Sequence, residues 1–379
     1  MNSQTVLRVG VVCDLLEEHW PSMDLVADEL LCTLPEVVSP RIVPTRLRPA
    51  MPRWPAALAH ATGLTVAVNA NRYLDRHRRY PMWLRQHRAG YDAYHIVDHT
   101  YAHLVHELPA MRTVVTCHDV DAFRSLFDPE REPRSGIFRA MARRVLEGLR
   151  RAAIVTCDSA ATRDALVMHG LRTNRLEVVP LGVHPAFTPV ADPAPYDGDP
   201  LLLHVGSTIA RKRIDVLLRV LARVRNRRPG ARLVRVGGAF TAEQAALARA
   251  LGVAQWITVM PAISQAGLAD LYRQAALVLL PSETEGFGLP VIEEMACGTP
   301  VLASDLAVLH EVGGAAAAYA PVGNVEAWAA AVDALLAERD TLPEQWTRRR
   351  KAAVERAAAF TWGRFAQRMA ECYTEVAGG

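Results

Sequence analysis

Two carboxylates, Glu285 and Glu293, stand eight positions apart in PSETEGFGLPVIEEMACGTPVLASD (281–305), one on the rim of a glycine-flanked turn and one inside the helix that follows. The turn, Gly286-Phe287-Gly288, bares its backbone N–H groups and lets a ligand approach closely. Glu293 falls about one helical turn in, on the face that points back to the loop, where a carboxylate accepts two hydrogen bonds from vicinal hydroxyls, as acids do with ribose. Glu294 must point roughly 100° away and is expected to be solvated or ion-paired. Upstream, STIARKRIDVLL sets Arg211, Lys212 and Arg213 at a helix entrance, where three cations oppose the macrodipole. An anion should compensate them. A diphosphate does so well, with Lys212 as a point charge, Arg211 as a bidentate fork and the helix N–H groups as further donors. The GxxxxGK[ST] pattern is absent, so this is no P-loop.

The elements that carry these residues alternate. LRVGVVCD (7–14), HIVD (95–98), TVVTCH (113–118), AIVTCDS (153–159) and LEVVP (176–180) read as strands, separated by helical spacing over 24–34, 138–153 and 161–170. A Pro-, Gly- and Asp-rich stretch near 181–200 reads as a hinge. The alternation then restarts with LLLHVG, RLVRVGG, WITVMP, ALVLLP and PVLAS, and 360–376 forms a last amphipathic helix. Strand–helix alternation implies parallel doubly wound sheets. Two such domains face a cleft in this reading, and ligands bind beyond the carboxyl ends of the strands. His118 ends one of those strands.

With 379 residues, half of them apolar, and a net charge of +3, the chain is large enough for two domains. Its first residues run straight into a strand without an export signal, and it holds no run long enough to span a membrane, so a cytoplasmic location is expected. The six cysteines lack CxxC pairing and read as buried free thiols. His95, His99, His103 and His106 cluster without a ligand pattern and read as helix-surface or cleft residues. NRYLDRHRRYPMWLRQHR (71–88) mixes Arg72, Arg76, Arg78, Arg79, Arg85 and Arg88 with aromatics. That mixture suits an anionic membrane surface or a lipid-diphosphate acceptor, and equally a solvated helix; no nucleic-acid motif accompanies it.

EGFGLPVIEEMACGTPV resembles the signature of the retaining nucleotide-sugar glycosyltransferases of family 4, whose hallmark is Glu, seven residues, Glu. VTCHD (115–119), VTCDSAATRDAL (155–166), VVPLGV (178–183), HVGS…RKRIDVLL (204–218), VGG (236–238) and FTW (360–362) have family counterparts in the same order, so the resemblance spans nearly the whole chain. It implies a GT-B fold: an acceptor-binding Rossmann-like domain over 1–183, a nucleotide-sugar domain over 184–359, and a helix over 360–379 that crosses back to the first. Carried over by position, Glu293 holds the donor ribose. Glu285 and the turn Gly286, Phe287, Gly288 and Leu289 meet the transferred sugar and the distal phosphate. Lys212 neutralises the leaving diphosphate, with Arg211 replacing an arginine that many relatives carry where Ser207 stands. Pro261, Ala262 and Ile263 border the base, and His118 contacts the donor sugar.

His19 and Trp20, in a first loop lacking the Gly-Gly of many relatives, are candidate acceptor contacts. Asp119 and Asp121 spell DVD, the metal motif of a different glycosyltransferase fold, and read here as a loop or cap. The expected reaction is metal- and cofactor-free transfer from a GDP- or UDP-sugar to a glycan or lipid-linked acceptor in cell-envelope or exopolysaccharide synthesis. It would take place in the cytoplasm or peripherally on the inner face of the membrane. Alternatives are a sugar-nucleotide epimerase or hydrolase of the same fold, and an inactive donor-binding scaffold subunit.

Overall fold

The computed structural model describes residues 6–18, 20–38, 41–51, 71–189 and 198–378. The chain divides into two compact units, Met1–Leu181 with Trp362–Gly379, and Gly182–Thr361. The first is built on β1 (Leu7–Val12), β2 (Ile42–Leu47), β3 (Ala93–Ile96), β4 (Thr113–Cys117), β5 (Ile154–Cys157) and β6 (Leu176–Val178), in the order β2-β1-β3-β4-β5-β6. The second is built on β7 (Leu201–Val205), β8 (Arg232–Val236), β9 (Ile257–Met260), β10 (Leu277–Leu280), β11 (Val301–Ser304) and β12 (Ala318–Ala320), in the order β12-β11-β10-β7-β8-β9. All these pairings are parallel.

Helices on both faces explain why the central strands are apolar throughout. Val9, Val11, Val114, Val155, Leu202, Leu277 and Leu302 are fully enclosed or nearly so. Both strands that sequence reasoning missed, β2 and β12, lie at sheet edges. β2 contains Pro44, which cannot donate to a ladder and is tolerated at an edge. β12 is Ala-Tyr-Ala, too short and weak in β propensity to register.

The helix Trp362–Gly378 belongs to the first unit, as expected. Its Tyr373 hydroxyl meets His95 Nδ1 at 2.7 Å, while His95 Nε2 meets Thr116 Oγ1 at 2.7 Å. Burial pushes His95 down to about 3, so it is neutral. His95, His99 and His103 are therefore interior residues, and the surface or cleft reading is corrected for these three. Of the six free thiols only Cys32 is exposed. Among the described residues no helix is long and apolar enough to cross a membrane. In the arginine-rich stretch, Arg76, Arg79 and Arg85 spend their charge on Glu18, Asp75 and Glu107.

Candidate active site

In the second unit the loops after β7 and β10 meet. Past β7 a short 3-10 turn, Ala210–Lys212, leads into the helix Ile214–Arg227 through Arg213, whose backbone is left-handed at φ 48°. The anion that compensates the three cations is protein. Lys212 Nζ donates to Glu285 Oε1 at 2.6 Å, and Arg211 Nη1 donates to Thr284 O at 2.9 Å and lies 3.4 Å from Glu285 Oε2. Arg213 forms a two-pronged pair with its neighbour Asp215, at 2.9 and 3.0 Å. Burial alone would push the Glu285 carboxyl up, but Lys212 and Arg211 outweigh it and hold it below its usual range. The Glu283 amide donates to Arg211 O at 2.7 Å, so the two loops are tied by main chain as well.

The turn past β10 ends at Gly288, at φ +97°, which starts the helix Leu289–Ala296. The backbone angle there selects glycine, and a Cβ would also lie 2.8 Å from Leu309 Cδ2, the movable end of a side chain. Phe287 turns inward and packs edge-on against Phe360 with ring centroids 5.8 Å apart. Glu293 is 8 % exposed; its Oε2 accepts from the Tyr272 hydroxyl at 3.0 Å, and burial pushes the carboxyl up to about 7 despite that bond. The expectation for Glu294 is corrected. It is fully buried, and neither oxygen has a hydrogen-bond partner among the described residues. Burial, and secondarily Glu293, push it well above the carboxylate range, so it is a protonated interior acid. Of the two adjacent acids only Glu293 reaches the surface. Pro261 and Ala262 are exposed in the loop after β9, and Ile263 half-buried. Ser207 is exposed just past β7.

The first unit gathers acids and histidines at the carboxyl ends of β1, β3, β4 and β5. His118 Nδ1 meets Asp158 Oδ2 at 2.6 Å and Nε2 meets Val97 O at 2.7 Å. Two acceptors require two protons, so the ring is an imidazolium. Burial alone would lower its pKa, but Asp158 outweighs it and raises it to about 10. His99, read from the sequence as a helix-surface or cleft residue, is buried beside His118. Its Nδ1 accepts from the His118 amide at 3.3 Å, and its buried Nε2 has no hydrogen-bond partner among the described residues. Asp14, just past β1, is also buried with both oxygens unpartnered among the described residues. Asp119 caps its own turn through the Asp121 amide at 2.9 Å, and Asp121 pairs with Arg124 at 3.0 Å, which suits a loop cap. Trp20 is 53 % exposed; His19 lies outside the described residues. Glu18, Trp20, Arg72 and Tyr73, with Phe138, Met141 and Val145 of the helix Gly136–Arg151, are among the residues lining a cavity of about 390 Å³.

Residues 37–187 match the model for Glycosyltransferase Family 4, and residues 190–353 the model for Glycosyl transferases group 1. The chain is 32% identical over 238 residues to D-inositol 3-phosphate glycosyltransferase of Nocardia farcinica, covering 58% of this chain and 52% of that one. It is 39% identical over 169 residues to the protein of that name from Segniliparus rotundus, covering 42% and 36%. The chain thus spans about half or less of the curated relatives it matches. Its fold is shared over nearly the full length with sucrose-phosphate synthase from Thermosynechococcus elongatus (TM-score 0.71, 23% identity, 97% of this chain and 98% of that one). The same holds for Anabaena HepE in complex with UDP and glucose (TM-score 0.73, 16% identity, 97% and 100%). With two such models end to end and this fold, the chain belongs to the GT-B glycosyltransferases of the family 4 and group 1 superfamily.

Proposed function

We propose that the chain moves a glycosyl group from a GDP- or UDP-linked sugar to an acceptor hydroxyl, with retention at the anomeric carbon. The observation that carries this reading is the triad of Lys212 and Arg211, from the loop after β7, with Glu285, from the same β10–β11 connection that bears Glu293. Without donor, Glu285 stands where the donor's anionic phosphates belong. Donor binding hands Lys212 and Arg211 to the diphosphate and frees the Glu285 carboxylate for hydroxyls of the transferred sugar, with the amides of Gly286, Gly288 and Leu289 on the distal phosphate. Glu293 takes the ribose, and Pro261, Ala262 and Ile263 border the base. The bond from the anomeric carbon to the diphosphate breaks, the acceptor oxygen bonds to that carbon, and its proton leaves on the departing phosphate. Catalysis is then mainly positioning and stabilisation of the leaving charge. Two cations suffice for that charge, without a metal.

His118 enters this reading as a fixed imidazolium that contributes charge at its strand end. The acceptor reaches the first unit, where the cavity beside Trp20 and Arg72 offers an apolar wall and a cation to a glycan or lipid-linked acceptor. Cell-envelope or exopolysaccharide synthesis, in the cytoplasm or on the inner membrane face, suits such an acceptor. HepE in complex with UDP and glucose, and relatives named for a sugar transfer, support the donor class. The test is incubation with a panel of nucleotide sugars, reading nucleoside diphosphate release with and without acceptors. Acceptor-dependent release is expected. Free sugar instead indicates a hydrolase, and binding without turnover a scaffold.

A further inference from the structure

β8 carries an arginine, Arg235, that is 0% exposed. Its Nη2 donates to Gly206 O at 2.8 Å and Gly237 O at 3.4 Å, and its Nη1 donates to Gly238 O. Among the described residues no carboxylate pairs with it, and its Nε has no partner. A buried cation met by carbonyls and, 5.4 Å away, by the Phe240 ring is left short of counter-charge, which is costly unless an anion arrives. The three carbonyls belong to two turns at the carboxyl ends of adjacent strands, since Val205 of β7 is level with Val236 of β8. The turns are packed so closely that a Cβ on Gly237, at φ +125°, would sit 2.1 Å from Gly206 O.

A peptide's carbonyl and N–H point in opposite directions. Drawing the Gly206 and Gly238 carbonyls inward therefore turns the amides of Ser207 and Ala239 outward, and both residues are exposed. The intervening Gly238 amide is spent on Met260 O at 3.2 Å. Lys212 flanks the same place, its Cδ 3.7 Å from where a Cβ of Gly206 would be.

We infer that Arg235 is a positioning residue which clamps the β7 and β8 turns so that the Ser207 and Ala239 amides form a seat for a pyrophosphate group, whose charge its own guanidinium lacks. The inference rests on the proposed donor class and adds to it a residue and a second turn. The test uses the full chain. In 15N spectra, inorganic pyrophosphate shifts the Ser207 and Ala239 amides; unmoved amides overturn the inference even if no variant folds. Calorimetry then compares UDP, GDP and ADP with their nucleosides. Arg235→Met lowers affinity for the best-bound diphosphate roughly ten- to a hundredfold while leaving the nucleoside within about twofold, because only a charged ligand feels the loss. Arg235→Lys recovers part of it. Full diphosphate affinity in a folded Arg235→Met chain, equal loss for nucleoside and diphosphate, or no recovery with lysine would each overturn the role. Wild-type pyrophosphate binding at these amides without binding of any nucleotide sugar would keep the seat and sink the donor reading; nucleotide-sugar binding undiminished in Arg235→Met would do the reverse.

Discussion

If Glu293 holds the donor ribose as proposed, donor binding depends on pH in a way that can be measured. Its carboxyl is pushed up to about 7 by burial, and the Tyr272 hydroxyl offsets that burial only partly. Ribose hydroxyls donate, so they are held by the carboxylate and not by the acid. Binding therefore weakens as pH falls through 7. About nine-tenths of the group is charged at pH 8 and about one-tenth at pH 6, so affinity should drop about tenfold, or about 1.4 kcal/mol. A nucleotide sugar is the right probe, because its diphosphate is a diester that does not titrate in this window. Glu285, held below its usual range, stays charged throughout. His118, raised to about 10, also keeps its charge. Calorimetric titration at pH 6, 7 and 8 should show the slope in the wild type and a flat line in Glu293→Gln. Equal affinity at pH 6 and 8, or a tenfold slope that survives in the glutamine variant, would refute the assignment of the ribose to Glu293.

The His118–Asp158 pair makes a stability prediction of known sign. The folded pKa of about 10 lies above the usual 6.5, so the pair's contribution is fully present below pH 6.5 and is lost as pH rises through 10. Urea unfolding at pH 6 should show Asp158→Asn weakened by about 3–5 kcal/mol, the gap narrowing by pH 10. Lys212→Met should cut turnover at least about a hundredfold by leaving the departing diphosphate short of a cation, and wild-type turnover would rule out its role. Replacing Met141 with Arg should raise the KM for the acceptor while leaving nucleotide-sugar affinity unchanged in calorimetry. A matched loss of donor affinity would detach the cavity from the acceptor.

Much of this molecule is written in local pattern. Apolar runs such as LLLHV and LVLL are legible because a strand buried on both faces admits few other residues, and the Glu285–Glu293 spacing is legible because one short turn and one helical turn fix where both acids start. The edge strands β2 and β12 escaped because half-exposed strands tolerate Pro44 and alanine. What the chain's order alone could not decide is which charges meet. Glu285 lies 73 residues beyond Lys212, yet it is the anion that quenches it. His118 meets Asp158 across 40 residues and Val97 O across 21, and together these spend both ring nitrogens that the sequence left open. Glu293 and Glu294 are chemically identical neighbours, and only the packing of their helix leaves one slightly exposed with a hydroxyl partner and the other fully enclosed and protonated. Periodicity sets which backbone forms, because that choice is made over a few residues; protonation and pairing are set by burial and by partners brought from distant strands, and those exist only once the sheets have closed.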